Sequence, residues 1–191
     1  MFGGNELIFC DTDETQSISE NADIDINTLI EKCRTDRKSL ELLYDMFKKD
    51  VFAISFSILC DYHLSEDCVA ETFVRLSQVK RFSKSGGNGK GFIIKIARNC
   101  AMEILRRYKK ECYSEVIQAY GDAEKTVEDS IYINQLLKNL SDKQRQTVVM
   151  RCCNQLSFRE IAKIMHTPES TVKSRYNRAM DILRKKAGEM Q

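Results

Sequence analysis

The chain has 191 residues, of which 42% are hydrophobic and 30% are charged, and its formal net charge is +2, which is ordinary for a soluble globular protein. It begins with an acidic stretch and contains no apolar run near the roughly 18 residues of a membrane span, so we expect a cytoplasmic protein without a signal peptide or membrane insertion. With one Pro and eight Gly, the chain has few turn-forming residues, which indicates a mostly helical fold.

The charges are distributed unevenly along the chain. Residues 1–31 contain eight acidic residues and no Lys or Arg, whereas residues 75–110 contain eleven Lys or Arg and one acid. Residues 111–130 contain six acids and one Lys, and residues 131–191 contain twelve basic residues and five acids. Two basic blocks separated by an acidic stretch indicate two surfaces that bind polyanions, although solvated helix faces are also often charged.

The eight cysteines form no C-x-x-C motif, and both histidines lie far from any paired cysteine. We therefore predict no metal site and no cofactor. Cys60, Cys68 and Cys100 occupy apolar positions of helical patterns and are predicted to be small buried residues in the reduced state. Cys152 and Cys153 are predicted to fill the core rather than to form a redox pair.

The first part of the chain is predicted to be an acidic tail over residues 1–25, which we expect to be mobile, followed by a helical domain over residues 26–112. In that domain, Ser39 and Ser65 are predicted to cap the second and third helices. A basic glycine-rich loop, FSKSGGNGKG, precedes a fourth helix that is predicted over 91–110.

The second part is predicted to be a linker over residues 113–130 and a second helical domain over residues 131–191. Two capping boxes, one beginning at Ser141 and one at Ser157, indicate where helices of this domain begin. The predicted fold is therefore all-α, with two small helical domains joined by a flexible linker.

The strongest local pattern is LSFREIAKIMHTPESTVKSRYNRAMDILRK, which predicts a helix-turn-helix over 156–185. The apolar positions of its second helix leave an outward face rich in basic and hydroxyl side chains, a composition that suits the major groove. A helical hairpin used only for packing would not need so many basic and hydroxyl side chains. The predicted DNA-binding residues are Ser170, Thr171, Lys173, Ser174, Arg175 and Arg178.

The basic fourth helix and its preceding loop form a second, weaker pattern. Phe82 and Phe92 flank a cationic loop, a composition that suits a single nucleic-acid strand with unstacked bases. By itself, such a loop is more often a solvated connector.

Together the two patterns resemble the extracytoplasmic-function class of RNA polymerase sigma factors. The second domain follows that family in LSDKQRQTVVMR, LSFREIAKIM and TPESTVKSRYNRAMDILR, and the first domain in LELLYDMFKKDVFAISFSIL, SEDCVAETFVRL and FIIKIARNCAMEILRR. The resemblance covers about residues 26–187. It implies a sigma-2-like and a sigma-4-like domain, and an alternative sigma factor that directs promoter-specific initiation without being an enzyme.

The resemblance also implies partners and residue roles. Asp67, Glu71 and Phe73 would bind core RNA polymerase, and the helix-turn-helix would read the minus-thirty-five element of duplex promoter DNA. The loop from Ser83 to Lys90 would hold a flipped-out base, and an anti-sigma protein is a further expected partner. The residues implied to contact the melted minus-ten strand are Lys84, Lys90, Lys95, Arg98, Asn99, Glu103, Arg106 and Arg107.

Four positions depart from the family pattern. Ala70 stands where Gln is common, Phe92 where Trp is usual, and Glu103 where Asp is more frequent. His166 stands where the helix-turn-helix usually has Gly, so we expect a left-handed backbone at a residue that has a side chain.

Two other functions are compatible with parts of the sequence. One is a stand-alone helix-turn-helix regulator whose first domain senses a ligand or partner. The other is a thiol-dependent enzyme or redox sensor that uses Cys68, Cys152 or Cys153, although no base, cofactor loop or metal set accompanies these thiols.

Overall fold

The computed structural model describes residues 25–79, 82, 88–112 and 137–189, and the regular structure in these ranges is α-helical. Residues 1–24 of the predicted tail and the whole predicted linker lie outside the described residues, as do residues 83–87 of the basic loop, whereas Asp25 caps the first helix. The helices are α1 (Ile26–Lys32), α2 (Arg37–Leu59), α3 (Tyr62–Ser77), α4 (Gly89–Cys112), α5 (Asp142–Cys152), α6 (Phe158–Met165) and α7 (Glu169–Glu189).

The second and third helices begin earlier than predicted, and each begins after an aspartate. The side chain of Asp36 accepts hydrogen bonds from the backbone N–H groups of Lys38 and Ser39, so Ser39 lies inside α2. The side chain of Asp61 accepts from the N–H of Leu64, and Ser65 is a buried residue of α3. Both serine predictions were wrong because a carboxylate one turn earlier satisfies the free N–H groups and also suits the positive end of the helix dipole.

The fourth helix begins at Gly89, two residues before the predicted start, and Gly89 is buried against the first helix. A Cβ atom at this position would lie 2.8 Å from Cγ2 of Ile26 and 2.9 Å from Cδ1 of Ile30. The absence of a side chain therefore allows α4 to begin in contact with α1.

The first domain is a bundle in which α2, α3 and α4 pack against one another, and α1 contacts α2 and α4. Cys68 and Cys100 are fully buried, as predicted, whereas Cys60 is half-buried and ends α2 in a left-handed conformation. The bundle core is formed by apolar residues at helical spacing, among them Leu43, Val51, Ile54, Leu76, Ile93 and Ala97.

The second domain contains α5, α6 and α7, and both of its predicted capping boxes are present. Ser141 pairs with Gln144 at the start of α5, and Ser157 pairs with Glu160 at the start of α6. A small core of Leu140, Val148 and Ala179 joins α5 to α7.

The two domains pack against each other. Helix α5 contacts α2 as well as α7, and α6 contacts α4. Met150, Leu156 and Ile161 of the second domain belong to the same hydrophobic cluster as the core of the first domain. The domains are therefore joined by buried apolar contacts as well as by the chain between them.

Cys152 is exposed and Cys153 is half-buried, so the prediction that this pair fills the core was wrong. Both residues lie at the end of α5, beyond the segment that is enclosed by its neighbours, and the thiol of Cys152 lies 3.7 Å from the hydroxyl of Tyr176. In the described ranges, no group of three or more His, Cys, Asp or Glu side chains is placed to hold a metal ion. No helix in those ranges has both the length and the apolar character that crossing a bilayer requires.

Candidate nucleic-acid and polymerase interfaces

The turn between α6 and α7 has the geometry of a helix-turn-helix. His166 ends α6 with φ 49° and ψ 50°, the left-handed conformation expected at this position, and the N–H of Thr167 donates to the carbonyl of Ala162 over 3.0 Å. A residue with a side chain pays about 1 kcal/mol for this conformation. Val172 and Ala179 are fully buried and fix α7 on the rest of the domain.

The opposite face of α7 carries the residues that were predicted to bind DNA. Five of the six are exposed, and only Arg175 is half-buried, with Nη1 3.7 Å from the sulfur of Met165. Arg178 donates from Nη2 to Oγ of Ser174 over 2.9 Å, a bond within the same helix. The face is therefore cationic, hydroxyl-rich and open to solvent.

A second polar stripe lies on α4. Lys95, Asn99, Glu103 and Arg106 recur at intervals of three or four residues, so they share one side of the helix. Asn99 and Arg106 are exposed, as is the neighbouring Arg107, whereas Lys95 and Glu103 are half-buried. This stripe combines amide, cationic and carboxylate groups along about three turns.

Glu103 is held by an arginine from the neighbouring helix. Arg75 of α3 donates from Nη2 to Glu103 over 2.7 Å and from Nε to Glu71 over 2.7 Å. The hydrogen bond from Arg75 lowers the pKa of Glu103, and the two carboxylates raise the pKa of Arg75. Arg75 was not among the predicted site residues, although its spacing of four from Glu71 is a recognisable ion-pair signal.

Two of the predicted strand contacts bind other parts of the protein. Arg98 of α4 donates from Nε to the side-chain oxygen of Gln146 in α5 over 3.0 Å, and burial lowers the pKa of Arg98. Lys90 forms an ion pair with Asp50 of α2 at 2.9 Å. Lys84, the remaining loop residue of the prediction, lies outside the described residues.

A third surface lies on α3 and carries the predicted polymerase contacts. Asp67 is exposed and Glu71 is half-buried, and the exposed residues Ala70 and Val74 lie on the same side because of their spacing. Val74 is 50% exposed. We refer to Asp67, Ala70, Glu71 and Val74 as the α3 stripe.

Phe73, the third predicted polymerase contact, points into the bundle. It is only 5% exposed and packs edge-on against the ring of Tyr44, with 5.0 Å between the ring centroids. Phe82 and Phe92, which flank the basic loop, also pack on each other, with centroids 5.0 Å apart. Phe73 is therefore a core residue of the bundle, whereas Phe82 and Phe92 are half-buried.

Comparison with known proteins assigns both helical domains to one family. The model of Sigma-70 region 2 matches residues 43–111, and the model of Sigma-70 region 4 matches residues 130–183. The chain is similar to the ECF RNA polymerase sigma factor SigW of Bacillus subtilis (strain 168), with 26% identity over 167 residues that cover 78% of this chain and 89% of SigW. It is also 26% identical to SigM of the same organism over 153 residues, which cover 76% of this chain and 93% of SigM.

The fold is likewise similar to that of two solved structures. The sigma factor RpoE in complex with the anti-sigma factor NepR from Bartonella quintana has 23% identity and a TM-score of 0.64, over 78% of this chain and 94% of that chain. CnrH in complex with the cytosolic domain of CnrY has 15% identity and a TM-score of 0.67, over 87% of this chain and 99% of that chain. The predicted all-α fold with two helical domains is thereby confirmed.

The match to region 2 contains the α3 stripe and nearly all of α4, and the match to region 4 contains the helix-turn-helix, which is the arrangement of a sigma-70-type initiation factor. The chain belongs to the extracytoplasmic-function RNA polymerase sigma factors, alternative sigma factors that direct promoter-specific transcription initiation. A stand-alone helix-turn-helix regulator is not favoured by these comparisons.

Proposed function

We propose that this sigma factor divides its work among the three surfaces described above. The α3 stripe binds core RNA polymerase, the polar stripe of α4 binds the melted minus-ten strand, and the exposed face of α7 reads the duplex at the minus-thirty-five element. The observation that carries the proposal is that each surface carries charged or polar side chains and is largely exposed, while buried apolar residues of the same helix form the core behind it.

The α3 stripe suits a basic protein partner. Asp67 and Glu71 supply negative charge, and Ala70 and Val74 supply apolar area between and beside them. Interfaces that combine a desolvated apolar centre with charges at the rim gain both affinity and orientation. Because Phe73 is buried beneath the stripe, its role is to support this surface from within the bundle.

The two DNA surfaces suit different forms of DNA. Helix α7 presents a narrow row of hydroxyl and basic side chains, which suits base edges and phosphates in the major groove. Helix α4 presents Asn99 and Arg106 beside Glu103, groups that donate to and accept from the exposed edges of unpaired bases. The carboxylate of Glu103, which Arg75 orients, would accept hydrogen bonds from base amino groups.

We further propose that the chain performs no chemistry of its own and acts in the cytoplasm, where it works with RNA polymerase. The core enzyme supplies catalysis, and this chain supplies position and sequence selectivity. In one of the similar structures the sigma factor RpoE is bound to the anti-sigma factor NepR, and in the other CnrH is bound to the cytosolic domain of CnrY. A protein of that kind is the regulatory partner we propose here.

The polymerase-binding part of the proposal is tested by reversing the charge of the α3 stripe. We expect the double variant Asp67→Lys, Glu71→Lys to bind sigma-free core RNA polymerase about 100-fold more weakly than the unmodified chain, because two favourable charges become repulsive. Sedimentation of purified chain with core enzyme measures this association.

A matched control is Glu41→Lys, which reverses an exposed carboxylate on a different helix, α2. Core binding should change little in this variant. Equal losses in the control and the double variant would mean that net charge and not the α3 stripe governs binding, and no binding by the unmodified chain would remove the proposal.

A further inference from the structure

Arg75 of α3 lies between two helices, and its guanidinium is bound on two sides. The Nε group donates to Oε1 of Glu71, one turn earlier in α3, and the Nη2 group donates to Oε2 of Glu103 in α4, each over 2.7 Å. The guanidinium is planar, and the two short charge-assisted hydrogen bonds use different nitrogens of it. Arg75 is therefore held in one orientation by residues of both helices.

The same contact fixes the carboxylate of Glu103. Arg75 occupies Oε2, whereas Oε1 accepts no hydrogen bond from the residues that the structure describes, and the Glu103 side chain is 40% exposed. A glutamate is ionised at neutral pH with or without such a partner. The main effect of Arg75 is therefore on orientation, because it directs one oxygen of Glu103 toward α3 and leaves the other to accept from a ligand.

A purely structural role explains this pair less well. The side chains of Arg75, Glu71 and Glu103 are all about a third exposed or more, and ion pairs with that exposure contribute little to folding. Buried contacts already join α3 to α4, as where the sulfur of Cys68 lies 3.6 Å from the carbonyl oxygen of Ala97. An acceptor that is fixed before its ligand arrives, in contrast, loses little conformational freedom on binding.

Arg106 supplies a hydrogen-bond donor beside this acceptor. It follows Glu103 by three residues, so the two side chains are neighbours on one side of α4, and Arg106 is exposed. Its Nε donates to the carbonyl of Met102 over 3.3 Å, and among the described residues its Nη groups have no further partner. Glu103 and Arg106 thus present one acceptor beside donors.

This pair of groups matches some unpaired bases better than others. Cytosine and adenine carry an amino group next to a ring nitrogen that accepts, so they complement an acceptor beside a donor. Thymine carries a ring N–H between two carbonyl groups, which repel a carboxylate. Guanine carries two neighbouring N–H groups that suit a carboxylate with both oxygens free, and Arg75 occupies one oxygen of Glu103.

We propose that Arg75 sets the base preference of α4, because it leaves Glu103 with a single free acceptor that selects cytosine or adenine over guanine and thymine. The inference rests on the proposed function of α4 as the surface that binds the melted strand. Arg75 is a positioning residue, since it acts through Glu103 and does not itself contact the base.

The experiment selects strands with the holoenzyme. The chain is assembled with sigma-free core RNA polymerase and incubated with single-stranded DNA that contains a short randomised window, and the bound strands are sequenced. At one position of the selected strands, cytosine and adenine together should exceed guanine and thymine by about tenfold, which is the discrimination expected of one well-placed base contact.

The variants separate orientation from charge. Arg75→Ala frees both oxygens of Glu103, so the share of guanine at that position should rise about tenfold while the other positions stay unchanged. Arg75→Lys keeps a donor to Glu103 and should retain most of the original preference. Glu103→Gln replaces the carboxylate by an amide that both donates and accepts, so the preference at that position should be lost.

Arg37→Ala is the matched control. Arg37 forms the same kind of pair, four residues before Glu41, but on α2 and with a side chain that is 90% exposed. Its removal should leave the selected bases unchanged. Sedimentation shows that each variant is bound to core polymerase before selection, and circular dichroism confirms that each remains helical.

Three outcomes would overturn the proposal. Identical base preferences for the unmodified and Arg75→Ala holoenzymes would mean that Arg75 does not position Glu103 for a base. Weaker preferences at every position at once would mean that Arg75 acts by maintaining the fold. If the unmodified holoenzyme forms but selects no pattern, the proposed strand-binding role of α4 fails as well, and this result differs from an unchanged pattern in Arg75→Ala.

Discussion

The two helices that carry the DNA-binding residues, α4 and α7, differ in how they hold them. On α7, Lys173 pairs with Glu169 and Arg178 with Ser174, so these basic groups bind within their own helix and stay exposed. On α4, Lys90, Arg98 and Glu103 bind α2, α5 and α3 respectively. A basic helix is thus available to a ligand only to the extent that neighbouring elements leave it free.

The largest expected effect concerns the apolar core that the two domains share. Met150 of α5 is fully buried in the shared cluster, and Met150→Ala should lower the free energy of unfolding by about 2–5 kcal/mol through lost burial and a residual cavity. Because the cluster spans both domains, hydrogen exchange in α2 and in α5 should increase together. Urea denaturation and amide exchange measure the two effects.

Met180→Ala is the matched control, since Met180 lies on α7 and is only half-buried. Its effect on stability should be clearly smaller. If Met150→Ala increased hydrogen exchange in α5 alone and left α2 protected, the two domains would fold independently. Contacts between the domains would then not explain the difference between α4 and α7.

The next effect compares one substitution on the two helices. Arg178→Ala should weaken binding of duplex promoter DNA by about 1–3 kcal/mol and leave the stability of the free protein almost unchanged. Arg98→Ala should instead lower the stability of the free protein by about 1–2 kcal/mol, because it leaves the buried side-chain oxygen of Gln146 without its donor. Thermal unfolding and anisotropy with the duplex separate the two cases.

Arg184→Ala controls for loss of an exposed arginine on α7, because Arg184 is 73% exposed. It should alter neither stability nor duplex binding strongly. Equal destabilisation by Arg98→Ala and Arg178→Ala would contradict the difference described between the two helices.

The smallest effect depends on pH and concerns Glu103. Its pKa is lowered in the folded protein by the hydrogen bond from Arg75, so the stabilisation is present above the ordinary pKa of a glutamate, about 4.3, and disappears as the pH falls through the lowered value. Both side chains are about a third exposed or more, so solvent screening limits the contribution to a few tenths of a kcal/mol. Glu103→Gln should be slightly less stable than the unmodified chain at about pH 7, and this difference should be smaller at about pH 3.5.

Urea denaturation at the two pH values measures that difference. A difference that grows on acidification would mean that Glu103 is destabilised as an anion in the folded chain, contrary to the sign expected from its pairing with Arg75.

Much of the second domain was predictable because its signals are local. The capping boxes at Ser141 and Ser157 and the left-handed residue His166 each depend on a few neighbouring residues, and all three were confirmed. The starts of α2 and α3 were misplaced because aspartate and serine compete for the cap, and sequence alone does not weigh the earlier carboxylate correctly.

The packing between the domains was not predicted, although the sequences of α4 and α5 contain apolar residues on more than one side of the helix. Residues 146–150 are buried without interruption, which requires neighbours on every side of α5, and three of them are apolar. In α4, the adjacent pairs Ile93–Ile94 and Cys100–Ala101 are all fully buried, so the helix is covered on more than one side. Such patterns indicate a second packing partner but do not identify it, because the contact joins residues far apart in the chain.

The arrangement of α7 has a consequence for how such proteins diversify. Val172 and Ala179 hold the helix in place from one side, while Ser170, Thr171 and Ser174 on the other side contribute little to the core. Substitutions on the outer side therefore change which DNA sequence is preferred, and they have little effect on the stability of the fold. After gene duplication, a copy of this chain would be able to acquire a new set of target genes through changes at these few positions, while the buried side of the same helix is preserved by selection for stability.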